Sequence, residues 1–264
     1  MKKDKILLCV ESLDSIKKYE ELGISNFLFP LKDYSVGYED FSLEDIESCE
    51  CDAYILANRL LTDDDIDEFL KLEFPSNVKG FLIEDTGLYM ELKDKGYTLI
   101  NYQNHLNNNY ETVNYWLDRF DSLVISTDIT LEEIEKIIDE SKKPLVLYTF
   151  GYPMIMYSRR HLVTNYYREF DLGDKKEVVI KDPKKTFEFR LKETKYGTSC
   201  FANEILDARK EAKKLDDEKI LFYLVNAQGI EEDDVLKVIL GEEILNTSQG
   251  FLYKKTVFRI GDLK

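Results

Sequence analysis

The sequence predicts an α/β protein, because short apolar runs alternate with helix-length amphipathic segments along most of its 264 residues. The apolar runs are continuous and not interrupted by polar residues, which is typical of strands buried on both faces of a parallel sheet. No Gly-x-Gly-x-x-Gly or phosphate-loop motif favours an open nucleotide-binding sheet. Eight strand–helix units therefore predict a (β/α)8 TIM-type barrel, with an open doubly wound sheet as the alternative.

The eight predicted strands are Ile6–Val10, Phe27–Phe29, Ala53–Ala57, Phe81–Ile83, Tyr97–Ile100, Ser122–Ile125, Leu145–Tyr148 and Ile220–Val225. Start and stop signals mark the helices between them. Gly23 is a suitable end for the first helix. Thr62 precedes three aspartates, which favour the positive end of a helix dipole. Thr130 and Glu133 form a capping-box pattern at the start of another helix.

The alternation breaks after the seventh strand. Val178–Ile180 and Thr186–Phe189 alternate in hydrophobicity and flank the turn-forming residues Asp182–Lys185. This pattern predicts a β-hairpin, inserted at about residues 176–191, before the last strand–helix units. No Pro-, Gly- or Ser-rich linker divides the chain, so residues 1–264 are expected to form a single barrel domain.

The composition argues against several classes of partner. Asp and Glu number 52 against 36 Lys and Arg, which gives a formal net charge of −16 and opposes broad binding to nucleic acid or an anionic membrane. No apolar run approaches the roughly 18–20 residues that a bilayer span requires, and no cleavage-site pattern follows the first apolar run. Four scattered cysteines (Cys9, Cys49, Cys51 and Cys200) suggest a reducing compartment. We therefore expect a cytoplasmic protein.

Active sites of barrels of this type lie at the C-terminal ends of the strands. The rule yields three catalytic candidates, Asp85, Asp128 and His161. Side chains that could bind a ligand follow the other strands, and these candidates are Glu11, Asn58, Gln103, Tyr157, Ser158 and Arg159.

Each catalytic candidate has a structural alternative. Glu84 and Asp85 are adjacent carboxylates, and such a pair in a cleft could supply a general base because one pKa is pushed upward. Asp85 and Asp128 could instead cap helices. His105 lies among asparagines and is expected at the surface, whereas His161, beside two arginines, is better placed to contact a ligand. Two histidines without paired spacing predict no metal site, and no Ser-His-Asp arrangement can be inferred.

The segment Phe150–His161 resembles the signature of the collagenase-like proteases of peptidase family U32, which runs roughly Glu-x-Phe-x-His-Gly-x-x-Cys-x-x-Tyr-Ser-Gly-x-Cys. Gly151, Tyr157 and Ser158 match that signature. Other segments are similar to family segments in the same order, and they are Phe81–Gly87, Tyr102–Asn108, Ser126–Ile134 and the Lys181-Asp182-Pro183 stretch with Phe187 and Phe189. The resemblance covers most of the chain and implies a barrel of the same kind.

The chain departs from the family at its chemistry. Relatives that hydroxylate RNA bases or ubiquinone precursors hold an iron–sulfur cluster on four cysteines. The two signature cysteines fall here at Met154 and His161, and Cys200 is the one remaining candidate ligand. One thiolate cannot hold a four-iron cluster, so we expect no such cofactor. The signature's Glu and His fall at Val146 and Phe150, which cannot transfer protons.

Three functions follow from the resemblance. The first is a hydrolase or protease with a carboxylate-lined site at the barrel mouth, acting on a peptide or a small molecule. The second is a catalytically degenerate, cluster-free member that binds a ligand or a protein partner, with tyrosines such as Tyr152 and Tyr166 as contacts. The third is a protein related to RNA modification by hydroxylation, which the missing ligands and the acidic charge oppose.

Overall fold

The computed structural model describes residues 1–103, 105–182, 187–215 and 217–254. The strands in this part of the chain are β1 (Ile6–Cys9), β2 (Asn26–Pro30), β3 (Asp52–Ala57), β4 (Val78–Ile83), β5 (Thr98–Asn101), β6 (Ser122–Leu123), β7 (Leu145–Gly151), β8 (Met154–Ser158), β9 (Glu177–Lys181), β10 (Glu188–Thr194), β11 (Gly197–Ala202), β12 (Ile205–Asp207), β13 (Ile220–Asn226) and β14 (Thr247–Ser248).

The helices are α1 (Ile16–Glu21), α2 (Leu43–Glu47), α3 (Asp63–Phe69), α4 (Thr86–Leu92), α5 (Tyr110–Leu117), α6 (Leu131–Glu140), α7 (Leu162–Glu169), α8 (Arg209–Ala212) and α9 (Glu232–Leu240). Across the described ranges, every helix is too short or too polar to cross a bilayer. The capping box expected at Thr130 is confirmed, and the helix that begins after Thr62 has one as well. At each cap the threonine hydroxyl accepts from the backbone N–H three residues on, and the side-chain carboxylate of that residue accepts from the backbone N–H of the threonine.

Ten strands form one curled sheet in the order β14-β12-β7-β13-β1-β2-β3-β4-β5-β6. Neighbouring strands pair in parallel from β7 through β13 and β1 to β6, so all eight predicted strands are present in this run. A parallel bridge joins Val124, just after β6, to Val146 in β7. The α/β class is confirmed, and the large curled parallel sheet gives the chain a TIM-like fold.

Alternate residues of each strand pack on opposite faces of this sheet. Phe81 and Ile83 belong to the cluster that packs against the helices, together with Leu88 of α4. Leu82 belongs to a second cluster, on the inner face, that contains no helical residue from the described part of the chain. This alternation follows from the two-residue period of a strand, and it determines the direction of the side chains that follow each strand.

A second sheet of four antiparallel strands, in the order β8-β11-β10-β9, lies against the C-terminal ends of the parallel strands. Met154 of β8 and Phe201 of β11 contribute to the inner-face cluster, and Phe201 packs edge-on against Tyr38 in the loop after β2. The pair β9–β10 contains the strands of the expected hairpin, paired antiparallel. Residues 183–186, which hold most of the expected turn and the first residue of its second strand, lie outside the described residues. The strands β8 and β11 were not foreseen.

Glu193 anchors α7 to the second sheet. Its side chain is fully buried, and its carboxylate accepts hydrogen bonds from the backbone N–H groups of Val163 and Thr164 and from the Thr198 hydroxyl. Lys176 lies 3.0 Å away. Burial opposes ionisation, but the bonds from Thr164, Lys176 and Thr198 outweigh it and lower the pKa of Glu193 to about 2.

We expect Glu193→Gln to lower the free energy of unfolding at neutral pH by about 2–3 kcal/mol, because the substitution removes a buried anion that several donors face. The pKa of Glu193 lies below the ordinary value of 4.5, so its contribution is present above that pH and is lost as the pH falls towards 2. Urea unfolding at pH 7 and pH 3 should therefore show a smaller difference from wild type at pH 3. Glu91→Gln, at an exposed position on α4, is the matched control. An equal effect of the two substitutions would contradict the assignment.

Candidate functional site

Glu84 lies at the C-terminal edge of the parallel sheet, the edge where the strands β1 to β7 and β13 end. Its N–H donates to Ala57 O and extends the β4 pairing by one residue, so its side chain follows Leu82 towards the inner face. Burial raises the pKa of the Glu84 carboxyl to about 7, while His105 lowers it and Asp85 raises it further. At neutral pH the protonated and ionised forms of this carboxyl are therefore both populated.

His105 lies in the loop after β5 and pairs with Asp128 in the loop after β6. The His105 Nδ1 atom is 2.7 Å from Asp128 Oδ2, and both side chains are about half-exposed. The hydrogen bond with Asp128 raises the pKa of His105; burial opposes this, and the charges of Asp128 and Glu84 and the backbone of Ile155 in β8 add to it. The imidazolium form is therefore favoured, and its position is fixed by the Asp128 carboxylate.

Glu84, His105 and Asp128 follow three successive parallel strands. A carboxyl with a pKa near neutrality beside a histidine with a raised pKa can accept a proton at one atom and donate one at another. Gln103 supports this arrangement, since its Nε2 donates to Glu84 O at 3.0 Å. Its buried Oε1 has no hydrogen-bond partner among the described residues. The group can therefore perform general acid–base chemistry.

Two of the candidates from the sequence hold the backbone. The Asp85 carboxylate accepts from Gly87 N at the start of α4 and from Leu61 N before α3, both at 2.9 Å. Asn58 is fully buried and bonds both N and O of Val36 through its amide. Asp85 thus has the helix-capping role that the sequence analysis left open, with both oxygens occupied.

The remaining candidates are distributed around the C-terminal edge. Tyr157 donates to Tyr196 O. Burial raises the pKa of Tyr157, the charges of Arg59 and Arg159 lower it, and the charge of Glu84 raises it. Arg159 itself is exposed. The Ser158 hydroxyl accepts from Arg160 N.

Two candidates lie away from the Glu84 group. His161 precedes α7 and approaches Glu193 at 3.7 Å. Glu11, after β1, accepts from Gly229 N. Of the nine candidates, the structure brings Gln103 and Asp128 together with Glu84 and His105, and it places Asp85 beside them.

An apolar cleft of about 650 Å3 opens beside Asp128, between the parallel sheet and the second sheet. Asp128 and Thr127 form one end of it. Its apolar wall consists of Pro153, Ile155, Phe187, Phe189, Leu206 and Phe251. Concave apolar surfaces with a few polar groups are typical of ligand sites.

Sequence reasoning discounted His105 because of its asparagine neighbours. In the structure these neighbours shape the loop: Asn107 Nδ2 donates to Val124 O and to Asn101 Oδ1, and the Asn109 side chain caps α5 by accepting from Thr112 N. The available signal was position, since His105 follows β5 as Glu84 follows β4. Its partner is distant in sequence, so spacing alone could not identify it.

The cysteines do not fit a four-iron cluster. Cys9 lies in β1, Cys49 and Cys51 precede or adjoin the start of β3 at the opposite edge of the sheet, and Cys200 lies in β11. Within the described ranges, no group of three or more His, Cys, Asp or Glu residues is arranged to hold a metal ion. A four-iron cluster needs several thiolates that converge on one point. We therefore assign no iron–sulfur chemistry to this protein. That the protein uses no cofactor stays a prediction.

We expect Asp128→Asn to lower the pKa of His105, because the substitution removes the anion that stabilises the imidazolium. The chain contains only two histidines, so their ring resonances can be followed separately by NMR during a pH titration. His161, which lies on another element, provides the internal control. A His105 titration that is unchanged in the variant would show that the pair does not form in solution.

We expect Asp85→Ala to reduce the free energy of unfolding by about 1–2 kcal/mol, because α4 loses its cap and the loop at Leu61 loses its acceptor. Asp67→Ala, at an exposed position on α3, should have a smaller effect. Chemical denaturation of the three proteins measures the difference. Equal stabilities of the two variants would contradict the structural role.

The chain was compared with known proteins. The model of peptidase family U32 matches residues 40–176, just over half of the chain. Among solved structures, the U32 peptidase Mk0906 is similar with a TM-score of 0.50 and 12% identity, over 85% of this chain and 93% of that one. The spore cortex-lytic enzyme SleL of Bacillus cereus has a TM-score of 0.41 and 10% identity, over 94% of this chain and 76% of that one. No curated protein matches. At such low identity the likeness to Mk0906 shows a shared fold, and the family match goes further: the chain belongs to peptidase family U32.

Proposed function

We propose that the protein is a peptidase that hydrolyses peptide bonds at the C-terminal edge of the sheet, with Glu84, His105 and Asp128 as its catalytic group. The observation that carries the proposal is a half-buried carboxyl, whose pKa is raised to about 7 and which feels the charge of His105, together with the 2.7 Å contact between His105 and a second carboxylate. Membership of the family supports hydrolysis as the reaction class. The proposal assigns the general base to Glu84, because both oxygens of Asp85 bind backbone N–H groups.

In this mechanism the Glu84 carboxylate takes a proton from a water molecule, and the water oxygen attacks the carbonyl carbon of the scissile bond. The His105 imidazolium donates a hydrogen bond as negative charge develops and then gives its proton to the leaving nitrogen, after which the C–N bond breaks. Asp128 keeps the imidazole oriented throughout. Transfer of the proton from Glu84 to His105 restores the starting state.

The apolar cleft beside Asp128 supports a peptide as substrate. Its wall of aromatic and aliphatic side chains can bury an apolar side chain next to Asp128. The second function, peptide binding without cleavage, draws on the same cleft, and the assay below distinguishes the two.

The proposal includes the finer features expected from the sequence. The order of the strands and the bridge between Val124 and Val146 support a closed (β/α)8 barrel. We propose further that residues 1–264 form one domain, with the second sheet as its insertion, and that the protein acts in the cytoplasm without nucleic acid or a cofactor.

We expect Glu84→Gln to reduce kcat/KM for a fluorogenic peptide library by about 100-fold or more, because glutamine cannot accept the proton from water. Glu111→Gln, on the exposed start of α5, makes the same chemical change away from the site and should retain activity. Circular dichroism checks that both variants are folded. Equal cleavage by Glu84→Gln and wild type would overturn the proposal, and binding of peptides by wild type without any cleavage would favour the second function.

The pH profile provides a further test of the same group. Activity should rise as the pH increases through about 7, where Glu84 loses its proton, and fall where His105 loses its own proton, above the ordinary histidine value of 6.5. Asp128→Asn should shift the falling limb to lower pH, because it lowers the pKa of His105. A profile with no group titrating near 7 would contradict the assignment of Glu84.

A further inference from the structure

A second cavity, of about 220 Å3, opens at the C-terminal edge on the side away from Glu84. It lies between the ends of β1 and β13, the loop after β2, and the strands β9 and β10 of the second sheet. Glu84, His105 and Asp128 are not among its lining residues. The side chains that face it include Glu11, Tyr152, Arg190 and Lys192, and the backbone of Gly229 forms part of its wall.

Arg190 presents a guanidinium group that forms no ion pair with an acid of the described residues. Its Cζ atom lies 4.5 Å from the centroid of the Tyr152 ring, which supports the guanidinium. Lys192, on the same strand, contacts Glu39 at 2.6 Å and Glu177 at 3.9 Å. In the described part of the chain, no carboxylate lies within 4.0 Å of Arg190 to form an ion pair. Glu39 and Glu177 also line the cavity, and Lys192 engages both of them, while Arg190 keeps its donors.

Gly229 separates this cation from the carboxylate of Glu11. Its N–H donates to Glu11 Oε2 at 3.1 Å, while a Cβ atom at Gly229 would lie 3.3 Å from Arg190 Nη1. Gly229 has a φ of +72°, a conformation that favours glycine. The anion and the cation therefore flank the same residue and face the same cavity without an ion pair between them.

We propose that this cavity binds a free α-amino acid, with the ligand carboxylate on Arg190, its ammonium group on Glu11 and its side chain against Tyr152. The planar guanidinium can bind a carboxylate through two parallel hydrogen bonds. A water molecule takes about 30 Å3 of liquid volume, so the cavity has room for about seven, which is the size range of a small amino acid. Partial burial raises the pKa of Glu11, Gly229 N and Lys192 lower it, and Glu39 and Glu231 raise it. An added ammonium group would therefore favour the ionised form.

Isothermal titration calorimetry of the full chain with L-alanine, L-leucine and L-phenylalanine tests the proposal. L-Leucine is then compared with L-leucinamide, which lacks the carboxylate, and with N-acetyl-L-leucine, which lacks the ammonium group. We expect L-leucine to bind at millimolar concentration or below. Each leucine derivative should bind more weakly than leucine by about tenfold or more, because a charge-assisted hydrogen bond is lost.

Two variants locate the site. Arg190→Gln should weaken leucine about tenfold and remove the preference for leucine over leucinamide, and Glu11→Gln should remove the preference over N-acetylleucine. Arg168→Gln, at an exposed position on α7, is the matched control and should bind as wild type does, with melting temperatures confirming that all variants fold. The proposal is overturned if L-leucine does not bind, if the derivatives bind as well as leucine, or if Arg190→Gln behaves like the control. Binding is measured without cleavage, so the result is independent of the proposed peptidase activity.

Discussion

The alternation of side chains at the end of β4 is the constraint on which the candidate site depends. Leu82 packs on the inner face and Ile83 against the helices, and the next two residues continue this order. Glu84 therefore turns towards the inner face, while Asp85 turns towards the start of α4, where it caps the helix. A shift of one residue in the register of β4 would exchange the two carboxylates. Burial acts on Glu84 because of this geometry, and the raised pKa follows from burial.

The parallel run of strands supplies the rest of the site. Three consecutive strand ends bring Glu84, His105 and Asp128 to one edge, although Asp128 follows Glu84 by more than forty residues of sequence. The charges of the three groups support one another. The positive charge of His105 favours the ionised form of Glu84, which burial disfavours, and Asp128 stabilises the imidazolium form of His105. The backbone of Ile155 in β8 also contacts His105, so the second sheet helps to fix the ring. The acid–base group is thus a product of the topology rather than of any local motif.

The sequence was sufficient for the elements that depend on local pattern. The eight parallel strands were visible because strands buried on both faces are continuously apolar, and the capping box at Thr130 is a short-range signal. The strand-end rule also found the neighbourhood of the site. It could not choose Glu84 over Asp85, since that choice depends on the residue at which the pairing of β4 ends. It could not pair His105 with Asp128, because the contact joins two loops. The strand β8 was missed for the same reason, because its partner β11 is remote in sequence.

The most direct test of this account is a pH titration of the side-chain carboxyl carbons by 13C NMR, with Glu84→Gln used to assign the Glu84 resonance. The account predicts that Glu84 titrates with a midpoint of about 7, because burial at the inner face raises the pKa of its carboxyl. A midpoint near the ordinary glutamate value of 4.5 would contradict it, because Glu84 would then be a solvated carboxylate with no special capacity to act as a base at neutral pH.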